Sequence, residues 1–324
     1  NSLYGALGNQ YFRYYDLRVA EGITLSGQLA VRWAEESMNA SMNKILGTDK
    51  DYVIAMDTDS IYVNMGPLVE KVNPTDPVKF IDEACQQRFQ PMLQKSYDDM
   101  FTMMNGFENR MVMEREAIAD KAVWTAKKRY IMNVHNNEGV QYAEPKVKIQ
   151  GIEAVKSSTP MVVRDKFKKA YKIILTSTED ELQKFVANFY DEFVNLGPED
   201  VSFPRGVSNV KKWTDRSMIY KKGTPIHVRG ALLFNHHLQK NGLDKKMEKL
   251  TNGNKVKFCY LKQPNPIMEN VISFPQFLPK ELGLHEFIDY DTQFEKTFKA
   301  PLKMVTDSIG WELEKRSTLE SFFI

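Results

Sequence analysis

The chain has 324 residues, of which 42% are hydrophobic and 27% are charged, as in a globular protein with two or three domains. Its two cysteines, Cys85 and Cys259, are too few for a disulfide framework and favour a reducing compartment. No apolar run approaches the roughly 18 to 20 residues that span a bilayer, and no signal peptide precedes the chain, so we expect no membrane partner.

The first residues are Asn1-Ser2-Leu3-Tyr4-Gly5, without an initiator Met or a helix cap, which favours a beginning inside a structure. Residues 21 to 46 have the apolar spacing of a helix. Ile23 and Leu25 fall on or beside its apolar side, and Gly47 is placed to end it.

Residues 51 to 64 predict an antiparallel hairpin, because two runs rich in β-branched and aromatic residues flank a tight Asp57-Thr58-Asp59 corner. In an extended chain Asp57 and Asp59 point to the same face. Two carboxylates about 6 Å apart repel by roughly 3 kcal/mol at an effective dielectric of about 20, so a proton or a cation is expected there. Oxygen ligands favour a hard ion such as Mg²⁺, and the alternative is a turn that is rich in Asp for structural reasons alone.

A second helical region covers residues 75 to 105, and Pro91 inside it predicts a kink or a break. Alternating residues then predict strands at residues 111–119, 122–134, 140–143 and 146–150. Two pairs of side chains would share a strand face, Glu114 with Glu116 and Lys128 with Tyr130.

Past Gly151 the pattern becomes mostly helical. Pro160 is predicted at the first position of a helix, and Thr178 to Glu181 form a capping box before an apolar helical stripe. Later elements are a strand at residues 255–261 and helices at 285–299 and 301–314. The fold class is therefore α+β, an antiparallel sheet with packed helices followed by a mostly helical part.

Positive charge is concentrated in one segment. Residues 205 to 262 contain 14 Lys or Arg and 3 Asp or Glu, a balance of +11, and the rest of the chain carries −9 because the total is +2. Such segregation is typical of a surface that binds a polyanion.

Three motifs occur in the order and spacing of family B DNA polymerases: Asn1-Ser2-Leu3-Tyr4-Gly5, Asp57-Thr58-Asp59-Ser60 and Lys127-Lys128-Arg129-Tyr130. Further matching segments are Met113 to Ala119, Tyr142 to Lys146, Lys156 to Pro160 and His227 to Gly230. The chain resembles the C-terminal part of these enzymes, most closely those of T-even-like bacteriophages. Asp-Thr-Asp alone is a weak signal, whereas the ordered set is a strong one.

The resemblance implies an antiparallel-sheet palm and a helical thumb. Residues 1–9 would contain the end of a fingers helix and the start of the palm. The palm would then cover residues 10–151, the thumb residues 152–316, and a clamp-binding tail residues 317–324.

It also implies template-directed nucleotidyl transfer with two Mg²⁺ ions, for which Mn²⁺ can substitute. Asp59 resembles the palm carboxylate that bridges the ions, and Asp57 resembles its neighbour close to them. Glu116 resembles a further carboxylate near the metals. Lys128 resembles the lysine that holds the primer terminus during catalysis.

Substrate contacts follow from the same resemblance. Asn1, Tyr4 and Gly5 would contact the incoming dNTP or the nascent base pair, where a Cβ on Gly5 would hit the base or sugar. Contacts to primer-template DNA are implied for Lys128, Arg129, Tyr130, Lys156, Arg205, Lys211, Lys212 and Arg229. A sliding clamp would bind Leu319, Phe322 and Phe323.

The sequence departs from the family pattern in several ways. Ala55-Met56 stand where the family has Tyr-Gly, and Glu114 stands where the phage enzymes have Asp. The other metal-binding palm aspartate, the triphosphate-gripping residues of the fingers and the exonuclease carboxylates are missing. We therefore expect no DNA synthesis by this chain alone. It would need an N-terminal polymerase chain with those parts and would act in the cytoplasm of an infected bacterial cell.

Two other functions remain open from the residues. The chain could be a DNA- and clamp-binding module without catalysis. Alternatively, the Asp-Thr-Asp and Glu-Arg-Glu carboxylates could serve a Mg²⁺-dependent nuclease or phosphatase.

Overall fold

The protein is described here by a computed structural model, which covers residues 2–315 without the side chain of Ser2. Up to residue 150 its elements are α1 (Ser2–Leu7), α2 (Leu17–Leu46), β1 (Val53–Asp57), β2 (Ser60–Val63), α3 (Gly66–Val72), α4 (Pro77–Ala84), α5 (Gln90–Met103), β3 (Ala117–Ala126), β4 (Arg129–Asn137) and β5 (Val140–Gln150). This mixture of helices and small sheets confirms the predicted α+β class.

The later elements are mostly helices with short strands between them. They are α6 (Met161–Thr176), α7 (Glu179–Phe193), α8 (Pro198–Val201), β6 (Phe203–Gly206), α9 (Val210–Trp213), β7 (Thr214–Asp215), β8 (Ile219–Tyr220), α10 (Ile226–Lys240), β9 (Lys255–Tyr260), β10 (Val271–Phe274), α11 (Tyr290–Phe294) and α12 (Ala300–Thr306). Within residues 2–315, no helix is both long enough and apolar enough to cross a bilayer.

The described chain divides into two compact units. The first contains the residues up to Asp120 together with Val134–Lys146, and the second contains Lys121–Asn133 and the residues from Val147 onward. The division cuts the three strands of one sheet, whose order is β3-β4-β5.

Helix α2 organises the first unit. It begins when the Asp16 side chain accepts the Arg18 N–H, and it ends at Gly47, whose φ of 70° is left-handed. The predicted end is confirmed, and the start lies four residues earlier than predicted because of the Asp16 cap. Its later turns pack against α5, β1 and β2 around Ala34, Met42, Tyr52, Val53, Phe89, Leu93 and Tyr97.

The first turns of α2 differ from the prediction. Ile23 and Leu25 are exposed, although both were predicted on or beside the apolar side. The reason is that the described core of this unit takes up α2 residues only from Leu29 onward.

Prolines interrupt two helical regions in the same way. A π-helical turn, Cys85–Phe89, separates α4 from α5 just before Pro91, and a second, Glu295–Lys299, separates α11 from α12 just before Pro301. Proline lacks an N–H and crowds the carbonyl four residues earlier, so the wider turn accommodates it. The predicted break at Pro91 is confirmed.

The strands around residue 120 were placed wrongly by the sequence. β3 runs without a gap from Ala117 to Ala126, so Glu114 and Glu116 precede it instead of sharing a strand face. The hairpin turns at Lys127-Lys128, where Lys128 has a φ of 63°. Lys128 therefore lies in a turn and does not share a strand face with Tyr130. The two short strands predicted after residue 139 form one strand, β5.

The second unit has two hydrophobic cores. One joins α6, α7, α11 and α12, and in it α7 begins at Thr178, whose hydroxyl accepts the Glu181 N–H as the capping box predicted. The other lies between α10 and an antiparallel sheet of order β10-β9-β6, in which β9 confirms the strand predicted near residue 255.

Candidate catalytic hairpin and nucleic-acid surface

Thr58 and Asp59 form the two-residue turn of an antiparallel hairpin, directly after Asp57 at the end of β1. β1 pairs with β2 so that Asp57 lies opposite Ser60, which confirms the predicted hairpin. Thr58 has a φ of 56°, and the Asp59 N–H donates to the Asp57 carbonyl at 2.6 Å. The prediction that the Asp57 and Asp59 side chains point to the same face assumed an extended chain. It is wrong, because Asp57 ends a strand and Asp59 lies in the turn.

Helix α2 anchors the base of this hairpin. The Asn39 side-chain oxygen accepts the N–H groups of Tyr52 and Val53 at 2.8 and 3.2 Å, and its amide donates to Asp51 at 2.7 Å. The Asn64 N–H donates a hydrogen bond to the Tyr52 carbonyl at 2.8 Å. Since Tyr52 and Val53 are also buried, the hairpin is fixed at its base and presents its turn to solvent.

The turn carries oxygen donors suited to a hard cation. Asp59 is exposed, Asp57 is half-buried, and the Thr58 hydroxyl donates to an Asp57 carboxylate oxygen at 3.0 Å. Mg²⁺ prefers carboxylate oxygens and retains several waters, so an exposed carboxylate next to a half-buried one fits it. Among residues 2–315, no three or more His, Cys, Asp or Glu side chains are arranged to hold a metal.

Glu114 and Glu116 line a separate feature, a cleft with a volume of about 440 Å³. Its other lining residues are Gln86, Gln90, Arg115, Glu138 and Gly139. The Glu116 carbonyl accepts the Glu138 N–H at 2.6 Å, which ties the segment before β3 to the turn after β4.

Arg115 is the residue in this cleft that the sequence analysis missed. Its side chain is only 10% exposed, forms an ion pair with Asp82 and donates to the Asn136 side chain at 2.8 Å. Its position between two glutamates was the available signal. Because the guanidinium is held on both sides, Arg115 fixes the backbone that presents Glu114 and Glu116.

The lysine motif lies at the turn between β3 and β4. Its backbone packs closely against Gly151, where an added Cβ would lie 2.2 Å from the Lys128 carbonyl oxygen. Tyr130 is buried beside Trp124, with ring centroids 5.6 Å apart, so it supports the turn from the core instead of facing solvent.

Of the candidate nucleotide contacts, Tyr4 and Gly5 lie on α1 and are exposed. The Tyr4 hydroxyl accepts a hydrogen bond from the Thr24 hydroxyl at 3.4 Å, which joins α1 to α2. No described atom lies within 4 Å of a Cβ built on Gly5, so this face is open to a ligand. Asn1 lies outside the described residues.

Most of the basic segment faces solvent. Eleven of its 14 cationic side chains are exposed: Lys211, Lys212, Arg216, Lys221, Lys222, Lys240, Lys245, Lys246, Lys249, Lys255 and Lys262. None of the ion pairs in the described part of the chain involves these eleven. The segment therefore presents uncompensated positive charge, as a phosphate-binding surface requires.

Three other DNA-contact candidates are engaged with the protein itself. Arg205 donates to the Ser158 carbonyl at 2.8 Å, and burial lowers the pKa of Arg205. Arg229 donates to the Asn270 side chain at 2.5 Å, and Lys156 pairs with Glu153 at 2.7 Å. Lys211 and Lys212 are thus better placed to reach a ligand than these three.

Comparison with known proteins decides the relationship. The chain is 35% identical over 342 residues to the DNA-directed DNA polymerase of Enterobacteria phage T4 and 36% identical over 343 residues to that of Escherichia phage RB69, and both matches cover the whole chain. The chain is therefore similar over its whole length to part of two phage DNA polymerases. It spans 38% and 37% of the length of these two relatives. No protein-family model matches it.

A more distant similarity extends beyond the phages. DNA polymerase 1 of Aeropyrum pernix is 25% identical over 252 residues, which cover 75% of this chain and 21% of that polymerase. Leu319, Phe322 and Phe323, the predicted clamp contacts, lie outside the described residues.

Proposed function

We propose that the chain is the C-terminal palm-and-thumb portion of a family B replicative DNA polymerase. The observation that carries this is the Asp57-Thr58-Asp59 turn, held at the tip of a hairpin in a chain that is similar over its full length to phage DNA polymerases. The reaction would be transfer of a nucleotide from a dNTP to a primer 3′-OH, in the cytoplasm of an infected bacterial cell.

In this proposal Asp57 and Asp59 hold two Mg²⁺ ions, or Mn²⁺ in their place, with Glu116 as a nearby carboxylate. Bound ions supply positive charge for the attacking oxygen and the leaving pyrophosphate. The turn between β1 and β2 fixes the backbone of both aspartates in advance. Such preorganisation is the main protein contribution to phosphoryl transfer. Lys128 positions the primer terminus, and Tyr4 offers a flat face to the nascent base pair.

The exposed basic segment would bind the phosphates of the duplex product. Eleven exposed cationic side chains without ion-pair partners in the described chain support this role, and Lys211 with Lys212 are the first candidates. The tail containing Phe322 and Phe323 would bind a sliding clamp.

The chain would be inactive alone. This expectation is supported by the length comparison, since the chain spans only 37–38% of its phage relatives. A polypeptide with the fingers, the exonuclease and the other palm aspartate would complete it.

The test is reconstitution. The chain is combined with the part of the phage T4 relative that it does not match, and primer extension is measured with Mg²⁺. We expect synthesis only from the mixture, and a loss of about 100-fold or more in Asp59→Asn with DNA binding retained. Asp99→Asn, at an exposed aspartate of α5, is the matched control and retains synthesis.

A second candidate is a DNA- and clamp-binding module without catalysis, which needs only the eleven exposed cationic side chains of the basic segment and not the hairpin carboxylates. Equal DNA binding and equal lack of synthesis in the wild type and Asp59→Asn mixtures would support it. Extension by the isolated chain would contradict the proposed dependence on a second portion.

A further inference from the structure

A short hairpin in the basic segment presents one apolar side chain to solvent. We call it the methionine hairpin and define it as residues 214–220, in which strands β7 and β8 pair antiparallel. Met218 lies in the loop between the strands and is 73% exposed, more than any other methionine within residues 2–315. A single exposed apolar residue is common on protein surfaces, so its meaning depends on how the hairpin holds it.

The Asp215 carboxylate stiffens the loop of the methionine hairpin. One of its oxygens accepts the backbone N–H groups of Ser217 and Met218 at 2.8 and 3.0 Å, and it also accepts the Ser217 hydroxyl at 2.7 Å. The hydroxyl, and after it the two amides, lower the pKa of Asp215, so the carboxylate stays charged. A loop whose conformation is fixed before binding loses little entropy when a ligand arrives.

The base of the methionine hairpin is anchored in the second unit. Ile219 and Tyr220 pack against the core between α10 and the sheet of β6, β9 and β10. The Tyr220 hydroxyl donates to Glu269 at 2.8 Å, and the Arg229 guanidinium lies 5.6 Å from the centroid of the Tyr220 ring. Ile219 has a φ of 67°, a left-handed conformation that a β-branched residue adopts only where its surroundings impose it. These contacts hold a strained backbone beside Met218, which stays outside the core.

Positive charge flanks the exposed methionine on both sides in the sequence. Between residues 211 and 222 the only acidic residue is Asp215, whose carboxylate the loop itself uses. The same stretch carries five exposed cations, Lys211, Lys212, Arg216, Lys221 and Lys222. These five form no ion pair within the described chain. A ligand for the methionine hairpin must therefore offer weakly polar surface between negative charges.

Duplex DNA offers this combination in its minor groove. The groove is about 6 Å wide, and the phosphates of both strands border it. Proteins that bind there frequently insert methionine or another apolar side chain. The major groove fits less well, because its methyl and hydrogen-bonding groups differ with every base pair, whereas a polymerase must hold a product of any sequence.

We infer that Met218 enters the minor groove of duplex DNA and contacts sugars and base edges, while the cations beside it bind the bordering phosphates. This inference rests on the proposed function and goes beyond phosphate binding, because it assigns a contact that carries no charge. Asp215 is a positioning residue, which holds the loop in the conformation that enters the groove.

Duplex binding by the full chain tests the contact, with fluorescence anisotropy of a labelled duplex at several salt concentrations. We expect Met218→Ser to bind about 10-fold more weakly, as the loss of one buried methionine side chain predicts. The slope of log K against log salt should stay within about half a unit, because no cation is removed. Met218→Leu should retain most of the affinity. The matched control is Met304→Ser, at an exposed methionine of α12, which should bind like the wild type.

Two results of this experiment would overturn the inference. One is equal duplex affinity of the wild type and Met218→Ser, and the other is absence of duplex binding by the wild-type chain.

Asp215→Ala separates the order of the loop from its charge. Loss of a negative charge strengthens binding to DNA, whereas a loosened loop weakens it. We expect Asp215→Ala to bind the duplex more weakly than the wild type. Tighter binding would show that the loop needs no prior order, which contradicts the role of Asp215 and the inference with it.

Modified duplexes identify the groove. Inosine in place of guanosine removes an amino group from the minor groove, and 5-methylcytosine in place of cytosine adds a methyl group to the major groove. We expect inosine to strengthen binding of the wild type more than that of Met218→Ser, and 5-methylcytosine to affect both equally. An effect of 5-methylcytosine that depends on Met218 would place the side chain in the major groove and overturn the inference.

The proposed function fails separately. Duplex affinity that depends on Met218, in a chain whose reconstituted mixture extends no primer, supports the inference and contradicts the function. Primer extension by a mixture whose duplex affinity is the same with Met218→Ser supports the function and contradicts the inference.

Discussion

The Asp59 amide donates to the Asp57 carbonyl at 2.6 Å, across the single residue Thr58. This closure forces Thr58 to a φ of 56°, a left-handed conformation that β-branched residues rarely adopt. Backbone strain of this kind is worth roughly 1–3 kcal/mol. The tip of the hairpin therefore holds Thr58 in a strained backbone conformation between two aspartates, at the expense of local stability.

Relief of this strain is testable in the chain alone. Thr58→Asn stabilises the protein by about 0.5–1 kcal/mol, because Asn adopts the left-handed region with much less strain. Urea unfolding monitored by circular dichroism measures the change. Thr58→Val is the matched control, since it stays β-branched and loses only the hydroxyl that contacts Asp57. A Thr58→Asn protein no more stable than Thr58→Val would contradict the strain.

The basic segment predicts a steep salt dependence of duplex binding. If about six of its cations contact phosphates, the slope of log K against log salt is near −5. Lys211→Gln with Lys212→Gln then reduces the magnitude of the slope by about 2, since each lost phosphate contact removes roughly one unit. Fluorescence anisotropy with a labelled primer-template at several salt concentrations measures it.

An adjacent lysine pair elsewhere in the second unit serves as the control. Lys168 and Lys169 lie exposed on α6, and Lys168 pairs with Asp165 at 3.0 Å. Lys168→Gln with Lys169→Gln leaves the slope within about half a unit. Equal effects of the two double variants would mean that net charge, and not the basic segment, governs binding.

Gly151 supports the lysine turn through its missing side chain. Its φ is 65°, and a Cβ would lie 2.2 Å from the Lys128 carbonyl oxygen. Gly151→Ala is expected to destabilise the chain by roughly 2–3 kcal/mol, from left-handed strain and from displacement of the turn. Denaturant unfolding measures the loss.

Gly139 separates these two contributions. Its φ is 83°, but a Cβ there would meet no described atom within 4 Å. Gly139→Ala therefore carries the conformational cost alone, about 1 kcal/mol. If the two variants lose equal stability, the close approach to Lys128 contributes nothing.

Local signals explain what could be predicted from the sequence. Gly47 ends α2 and Thr178 begins α7 because a left-handed glycine and a capping hydroxyl act on their own turn. The Asp57–Asp59 hairpin is likewise set by residues within a few positions of it. Pro91 breaks a helix through the geometry of its own ring.

Other features depend on distant partners. The alternation of β3 continues past Asp120, and only the left-handed Lys128 shows where the hairpin turns. The position of the Arg115 side chain depends on its contacts with Asp82 and Asn136, which are far apart in the sequence. Ile23 belongs to an apolar helical pattern but packs against no core in the described chain. Nothing in the neighbouring sequence distinguishes such a position from one that is buried in a core.

The stability of the second unit is expected to fall in mild acid because of two histidines on α10, the buried His237 and the half-buried His227. Burial lowers the pKa of His237, with further lowering by His236 and Lys240, and burial with Arg205 lowers the pKa of His227. The unfolded chain therefore takes up these protons first, from about pH 6.5 downward, while the folded chain stays neutral. Stability is complete above that pH and is lost as the pH falls toward the folded pKa values.

His237→Gln tests this directly, because glutamine cannot take up a proton. Urea midpoints are measured at pH 7.5 and 5.5, and the wild type is expected to lose more stability between them than His237→Gln does. Lys240→Gln, which removes one positive charge near the imidazole, reduces the loss by less. Some loss persists in both variants because His227 still titrates. An identical loss in wild type and His237→Gln would assign the pH dependence to other groups.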